Sequence, residues 1–230
     1  MKKYKFNLPE YVANKINLAI RSKEDLLIVL AETLKFLIVQ NMPEPLSEKT
    51  REGIAPSNTQ LVLCIDKMSR LFYCTENRTL TFQFPFIVYS KTTNKFCSIF
   101  CPQCDLMIDN LVTSLLLALF RKEGLFNLTL SQMEEIIIEE ILLNGWEDDL
   151  DENKCLHLVR YLMLFEPGYL RYEHDDDESR VNKLYHPEYH IDWFYSDNNT
   201  VKLGLKDAID CEGLIDILDR HTRCRYIGDC

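Results

Sequence analysis

The chain has 230 residues, 47% of them hydrophobic, and a formal net charge of −10. That length builds a sizeable core without disulfide or metal staples, and only seven glycines and eight prolines exclude a low-complexity chain. The acidic balance disfavours a general nucleic-acid binder, which needs a basic stripe to displace counterions. It fits a solubilised protein or one that docks onto a basic partner.

The N-terminus, MKKYKFNLPEY, carries lysines but no following apolar run, so it does not read as a signal peptide. Without export, the nine cysteines are expected as reduced thiols in a cytoplasmic protein. The most apolar early stretch, 26–39, is interrupted by Glu32 and Lys35. A membrane span needs about 20 predominantly apolar residues, so no membrane segment is expected.

Residues 8–41 read as two helices. Ser22 with Asp25 makes a capping-box-like start for the second, and Leu26, Leu27, Leu30, Leu34, Leu37 and Ile38 recur at helical spacing. Residues 42–58, with Pro43, Pro45 and Pro56, read as a connector. Alternation at Leu61, Leu63, Ile65 and at Leu80, Phe82, Phe84 predicts an antiparallel meander of about four strands over 59–101. Turns are expected at 66–70, 76–78 and 91–95.

A helix from Asp105 to about Lys122 is apolar nearly all round, which makes it a buried central helix. Ser131 with Glu134 caps the next helix, whose Glu134, Glu135, Glu139 and Glu140 form a solvated face. Helices then follow over about 153–165 and 212–220, with a last extended segment at 223–227. Three helices and a hairpin over 105–205 could be forced into a winged helix. Its reading helix would offer only Lys154 and Arg160 as cations, and charge argues against DNA. The expected architecture is α+β: an N-terminal helical hairpin, an antiparallel β-meander, a buried helical layer, and a C-terminal β-hairpin with a short helix. Residues 1–58 form the hairpin and connector and 59–230 the α+β core, making one compact unit overall.

Two clusters carry chemistry. Cys97, Cys101 and Cys104 form C-x3-C-x2-C, with Cys101-Pro102-Gln103-Cys104 between a strand and a helix. A C-x2-C pair at a turn supplies two corners of a zinc tetrahedron, Cys97 a third, and Cys64, Cys74 or a histidine the fourth. A redox pair at a helix N-terminus and three buried small hydrophobes are the alternatives. The second cluster follows Pro187. Period two puts His186, Glu188, His190 and Asp192 on one face of a strand, and Tyr189, Ile191, Trp193 and Tyr195 on the other. Two imidazoles and two carboxylates can bind a divalent metal or perform acid–base chemistry, and the acids Asp175 to Glu178, with His174, could fold back to them. The structural alternative is that His186 and His190 orient the hairpin through hydrogen bonds to backbone or acids. With a turn at 196–199, a four-residue loop places His190 and Asp192 with Val201, Leu203 and Leu205. An odd-length loop places them with Lys202, near the surface. Both registers are open.

The segments RYEHDDD, HPEYHIDWFYSDNNTVKLGL, GLIDIL and RHTRCRYI, spanning about 165–227, resemble a bacterial family of unknown function. Its pattern is an Arg-Tyr-Asp-rich strand, a His-Pro-x-x-His segment and a C-terminal apolar helix. Arg171, Tyr172, His186, Pro187 and His190 are the matching positions, and Glu173–His174 departs from it. Such proteins tend to be encoded beside restriction or phage-defence genes, which implies a protein partner. Together these readings make a non-enzymatic accessory or interaction protein the leading expectation. A metal-dependent phosphoesterase or nuclease using His186, His190 and Asp192 is the second. A zinc-stabilised module on Cys97, Cys101 and Cys104 is the third.

Overall fold

The computed structural model describes residues 1–17, 20–40, 56–89, 98–195 and 201–225. In chain order the elements are β1 (Lys2–Pro9), α1 (Glu10–Asn17), α2 (Lys23–Gln40), β2 (Pro56–Ile65), β3 (Arg70–Cys74), β4 (Arg78–Gln83), β5 (Ile87–Tyr89), β6 (Ser98–Cys101) and β7 (Leu106–Ile108). They continue with α3 (Asn110–Phe120), α4 (Leu130–Leu143), α5 (Glu152–Leu164), β8 (Leu170–His174), β9 (Tyr189–Trp193), β10 (Val201–Gly204) and α6 (Cys211–Leu218). The fold is α+β with antiparallel sheets, as the sequence predicts.

The chain divides into two compact units. One comprises Met1–Pro9, Pro56–Phe84 and Pro167–Cys230; the other comprises Glu10–Ala55 and Pro85–Glu166. All four crossings carry a proline, namely Pro9, Pro56, Pro85 and Pro167, half of the eight in the chain. Proline fixes its own φ and biases the residue before it away from the helical region.

The first unit is a seven-stranded sheet in the order β1-β2-β3-β4-β8-β9-β10. One continuous cross-strand row runs through every strand: Phe6, Leu61, Tyr73, Leu80, Arg171, Asp192 and Lys202. On β2 to β4 this row is apolar and buried; on β8 to β10 it is ionic. The opposite face carries Val62, Cys64, Phe72, Cys74, Tyr172 and Ile191, which pack under Leu214 and Ile215 of α6. Burying each of those two helix residues contributes about 1.5–3 kcal/mol.

Asp210 caps α6 by accepting from Gly213 N at 2.7 Å, and Glu212 pairs with Lys3 and Lys5 of β1. Cys211 is joined to Cys74 of β3 by a disulfide, with a Cα–Cα distance of 6.1 Å. Reduced thiols are therefore found at Cys64, Cys101, Cys104, Cys155 and Cys224, but not at this pair.

The second unit holds α1 to α5 and a three-stranded sheet, β5-β6-β7. The capping box expected at Ser22 is present: Asp25 Oδ2 accepts from Ser22 N at 3.1 Å and Ser22 Oγ accepts from Asp25 N at 3.2 Å. Glu32 of α2 is 5% exposed and is held by Lys15 and Arg121. In the small sheet, Val88, Ile99 and Ile108 face inward, while the row Ile87, Phe100 and Met107 faces outward with Tyr89 beside it.

Several boundaries differ from those read in the sequence. The meander ends at β4; β5 and β6 belong to the second sheet and pair with β7, which lies where a helix is predicted. α3 begins at Asn110 because Asp109 accepts from Val112 N at 2.9 Å, and Asp105 takes a left-handed φ of 47° that no helix could continue. The helix itself is buried as expected, through Val112, Leu115, Leu116, Leu119 and Phe120. The cap of α4 is Thr129 with Gln132, two residues before Ser131, while Glu134, Glu135 and Glu139 are solvated. β1 was not expected, and β2 opens at Pro56, inside the stretch read as connector. The turns at 91–95 and 196–199 lie outside the described residues, as do 41–55 and 226–230.

Candidate functional site

Strand pairing determines which side chains meet on the ionic half of the sheet. Glu173 of β8 lies opposite His190 of β9, and Arg171 lies opposite Asp192, which in turn lies opposite Lys202 of β10. Arg78 of β4 lies opposite Glu173 from the other side. His190 and Asp192 therefore share a face with Lys202, the register of an odd-length connection. The expectation that this register leaves them near the surface is not met: His190 is 0% and Asp192 1% exposed.

The segment before β9 covers them. The Pro187 carbonyl accepts from His190 Nδ1 at 2.9 Å, and the His186 ring stands edge-on to that of His190 with centroids 4.7 Å apart. Gly204 admits the Pro187 ring, since a Cβ there would meet Pro187 Cγ at 2.9 Å. His186 Nε2 lies 3.0 Å from Asp175 Oδ2, and Arg180 pairs with the same oxygen at 2.5 Å. Both histidines thus hydrogen-bond to backbone or acid, and Asp175 does fold back. Burial would raise the Asp175 carboxyl, but the Asp177 amide, His186 and Arg180 hold it below the usual carboxylate range.

Asp192 is clamped from two sides. Arg171 donates to its Oδ2 at 2.5 Å, and Lys202 donates to its Oδ1 at 2.8 Å. The Lys202 ammonium also donates to His190 Nε2 at 2.9 Å. Glu173 Oε1 lies 3.1 Å from Arg171 Nε and 3.5 Å from Arg78 Nε, while its Oε2 lies 3.5 Å from His190 Nε2. Burial pushes the Glu173 carboxyl up, but the cationic groups beside it, Arg171 and Arg78 among them, outweigh it and hold the group at about 2. Its folded value is therefore depressed, so its stabilisation is complete above the ordinary value of 4.5 and is lost as pH falls from there towards 2. Wild type is expected to lose about 3 kcal/mol through Glu173 across that window. Glu173→Gln should flatten that part of the acid-unfolding profile, measured by urea titration at each pH.

Other residues expected here lie elsewhere. Glu188 leaves the cluster and faces His174 at 3.3 Å. Phe194 has a φ of 67°, which ends the strand alternation, and Tyr195 packs edge-on against Tyr169 rather than extending the aromatic face. Cys97 lies outside the described residues. Cys101 and Cys104 are buried free thiols on the turn between β6 and β7. Burial and Cys101 push Cys104 up to about 12. Cys155 of α5, pushed up to about 12 by burial and by Asp151 and Asp109, also acts on Cys104. Thiols so raised stay protonated at neutral pH and are poor nucleophiles.

Among the described residues, the one group that brings three ligand atoms within 4.8 Å of one another is Glu173, His190 and Asp192. Glu173 and Lys202 had no motif to mark them; the signal was only their period-two position on strands whose pairing the sequence leaves open. No described helix is long and apolar enough to cross a membrane. No family model, curated protein or solved structure matches the chain.

Proposed function

We propose that the chain is a non-enzymatic accessory protein that works by binding another protein. The observation that carries this reading is the outer face of the three-stranded sheet, where Ile87, Tyr89 and Met107 are 42%, 51% and 46% exposed around the partly buried Phe100. An aligned apolar row on a sheet whose other face is already buried is the composition of a protein contact. The closed ionic cluster supports the same reading. His190 and Asp192 leave a phosphodiester no access, and both carboxylates already meet cationic side chains. The resemblance of 165–227 adds the setting, a component of a bacterial phage-defence system.

The test is affinity purification of the full chain, with crosslinking, from cells that encode it. A partner in fixed stoichiometry is expected with wild type. It should be lost from a Tyr89→Asp/Met107→Asp variant whose melting temperature is unchanged. A wild-type chain that purifies alone, or a variant that keeps the partner, overturns the reading.

A second reading, metal-assisted phosphoester hydrolysis, is favoured by one observation, the convergence of Glu173, His190 and Asp192 beside Lys202, and it requires the Pro187 segment to move off His190 before a substrate can enter. Activity that is lost in His190→Ala while the fold persists would raise it above the first.

A further inference from the structure

The ionic cluster is closed to a substrate but not to an ion, and this is independent of the protein-binding reading. We propose that Glu173, His190 and Asp192 form a divalent-cation site in which the Lys202 ammonium stands as an exchangeable occupant. Their three ligand atoms lie within 4.8 Å of one another. Ligands on one zinc or manganese ion sit at most about 4.3 Å apart, a difference that side-chain rotation covers. The strands that carry them are hydrogen-bonded neighbours, so the backbone is already in place.

The orientation of His190 is that of a ligand. A carbonyl can only accept, so the contact with Pro187 O puts the proton on Nδ1 and turns the Nε2 lone pair into the cluster. Metal-bound imidazoles are oriented by such a bond from their other nitrogen. Nε2 then faces Glu173 Oε2 at 3.5 Å and Asp192 Oδ2 at 3.8 Å. Three acceptors converge, and among the described residues the cation that reaches Nε2 is Lys202, 2.9 Å from it and 2.8 Å from Asp192 Oδ1. Its three protons satisfy two of those ligands where an ion would satisfy all three.

Exchange needs little movement. Lys202 lies on the edge strand β10 and its side chain is 29% exposed, so it can rotate to solvent without disturbing the sheet. Arg171 can keep Asp192 Oδ2 and Glu173 Oε1, which leaves Asp192 Oδ1, Glu173 Oε2 and His190 Nε2 as the coordinating set. One imidazole and two carboxylates suit Mn²⁺, Fe²⁺ or Zn²⁺ better than Ca²⁺ or Mg²⁺, which take mostly oxygen ligands.

The experiment is a titration of the EDTA-treated full chain with Mn²⁺ at neutral pH, read by electron paramagnetic resonance, with Zn²⁺ as competitor. Wild type is expected to take one Mn²⁺ per chain. Lys202→Gln removes the competing ammonium and should tighten binding about tenfold or more, while Glu173→Gln removes a ligand and should weaken it by a similar factor. Opposite changes from two neighbouring substitutions cannot both follow from damage to the fold. No binding by wild type overturns the proposal, even if Lys202→Gln binds, because the native site would then be closed to metal. Equal affinity in Lys202→Gln and wild type overturns it too. So does binding that survives Glu173→Gln but disappears in Cys104→Ser, which would place the ion among the thiols.

Discussion

Asp192→Ala is expected to destabilise the sheet unit by about 3–5 kcal/mol, the range for stripping one partner from a buried ion pair. The carboxylate is 1% exposed and holds Arg171 on one oxygen and Lys202 on the other. Removing it leaves a guanidinium and an ammonium facing each other over a cavity, with His190 beside them. The partners cannot all escape to water: Arg171 is 20% exposed in its side chain and His190 fully buried, whereas Lys202 can swing out. Urea unfolding at neutral pH measures the loss. A triple variant, Arg171→Leu/Asp192→Leu/Lys202→Leu, should recover part of it, because replacing both partners of a buried ion pair by apolar side chains is often near neutral and Glu173 keeps Arg78. A single-variant loss below about 1 kcal/mol would mean that the charges rehydrate in place and that the cluster does not hold the strands together.

Reducing or deleting the Cys74–Cys211 disulfide should lower stability by about 4 kcal/mol and the melting temperature by about 10 °C. The bond closes a loop of 137 residues, and the entropy removed from the unfolded chain grows with loop length. It also fastens α6, which covers the Val62–Phe72–Ile191 face. Cys74→Ala/Cys211→Ala, melted with and without dithiothreitol, separates the bond from other thiol effects: the reductant should lower wild type and leave the variant unmoved. If both are unmoved, the loop is not closed by this bond under those conditions. If both fall, another thiol is responsible.

Local patterns were legible and pairings were not. The helical spacing of Leu26 to Ile38 and the Ser22–Asp25 box act within a few residues, and the structure contains both. The buried character of 112–120 was equally plain, but its start was not. Leu106 to Ile108 is apolar enough to extend a helix, and only the Asp109 cap and the left-handed Asp105 divide strand from helix. Strand β1 carried a visible alternation, Tyr4, Phe6 and Leu8 against Lys3, Lys5 and Asn7, yet nothing nearby shows that its partner begins at Pro56. The site divides in the same way. His190 and Asp192 could be placed on one face from period two. That Glu173 and Arg171 would lie opposite them, with Arg78 beyond, depends on β8 inserting between β4 and β9. Cys155 and the Cys74–Cys211 bond are long-range matters of the same kind.

The four prolines at the crossings between the units have a consequence for protein engineering. Each excursion away from the seven-stranded sheet leaves and re-enters at neighbouring backbone positions. Pro9 is the strand partner of Pro56, and Gln83 N donates to Pro167 O at 2.8 Å. Both excursions, 10–55 and 85–166, are therefore cassettes whose ends nearly touch. Splicing each gap with a turn of a few residues would shorten the loops that folding must close, and with them the entropy of closure. The two pairs of ends mark where a foreign domain could be inserted without breaking the ladder of the seven-stranded sheet.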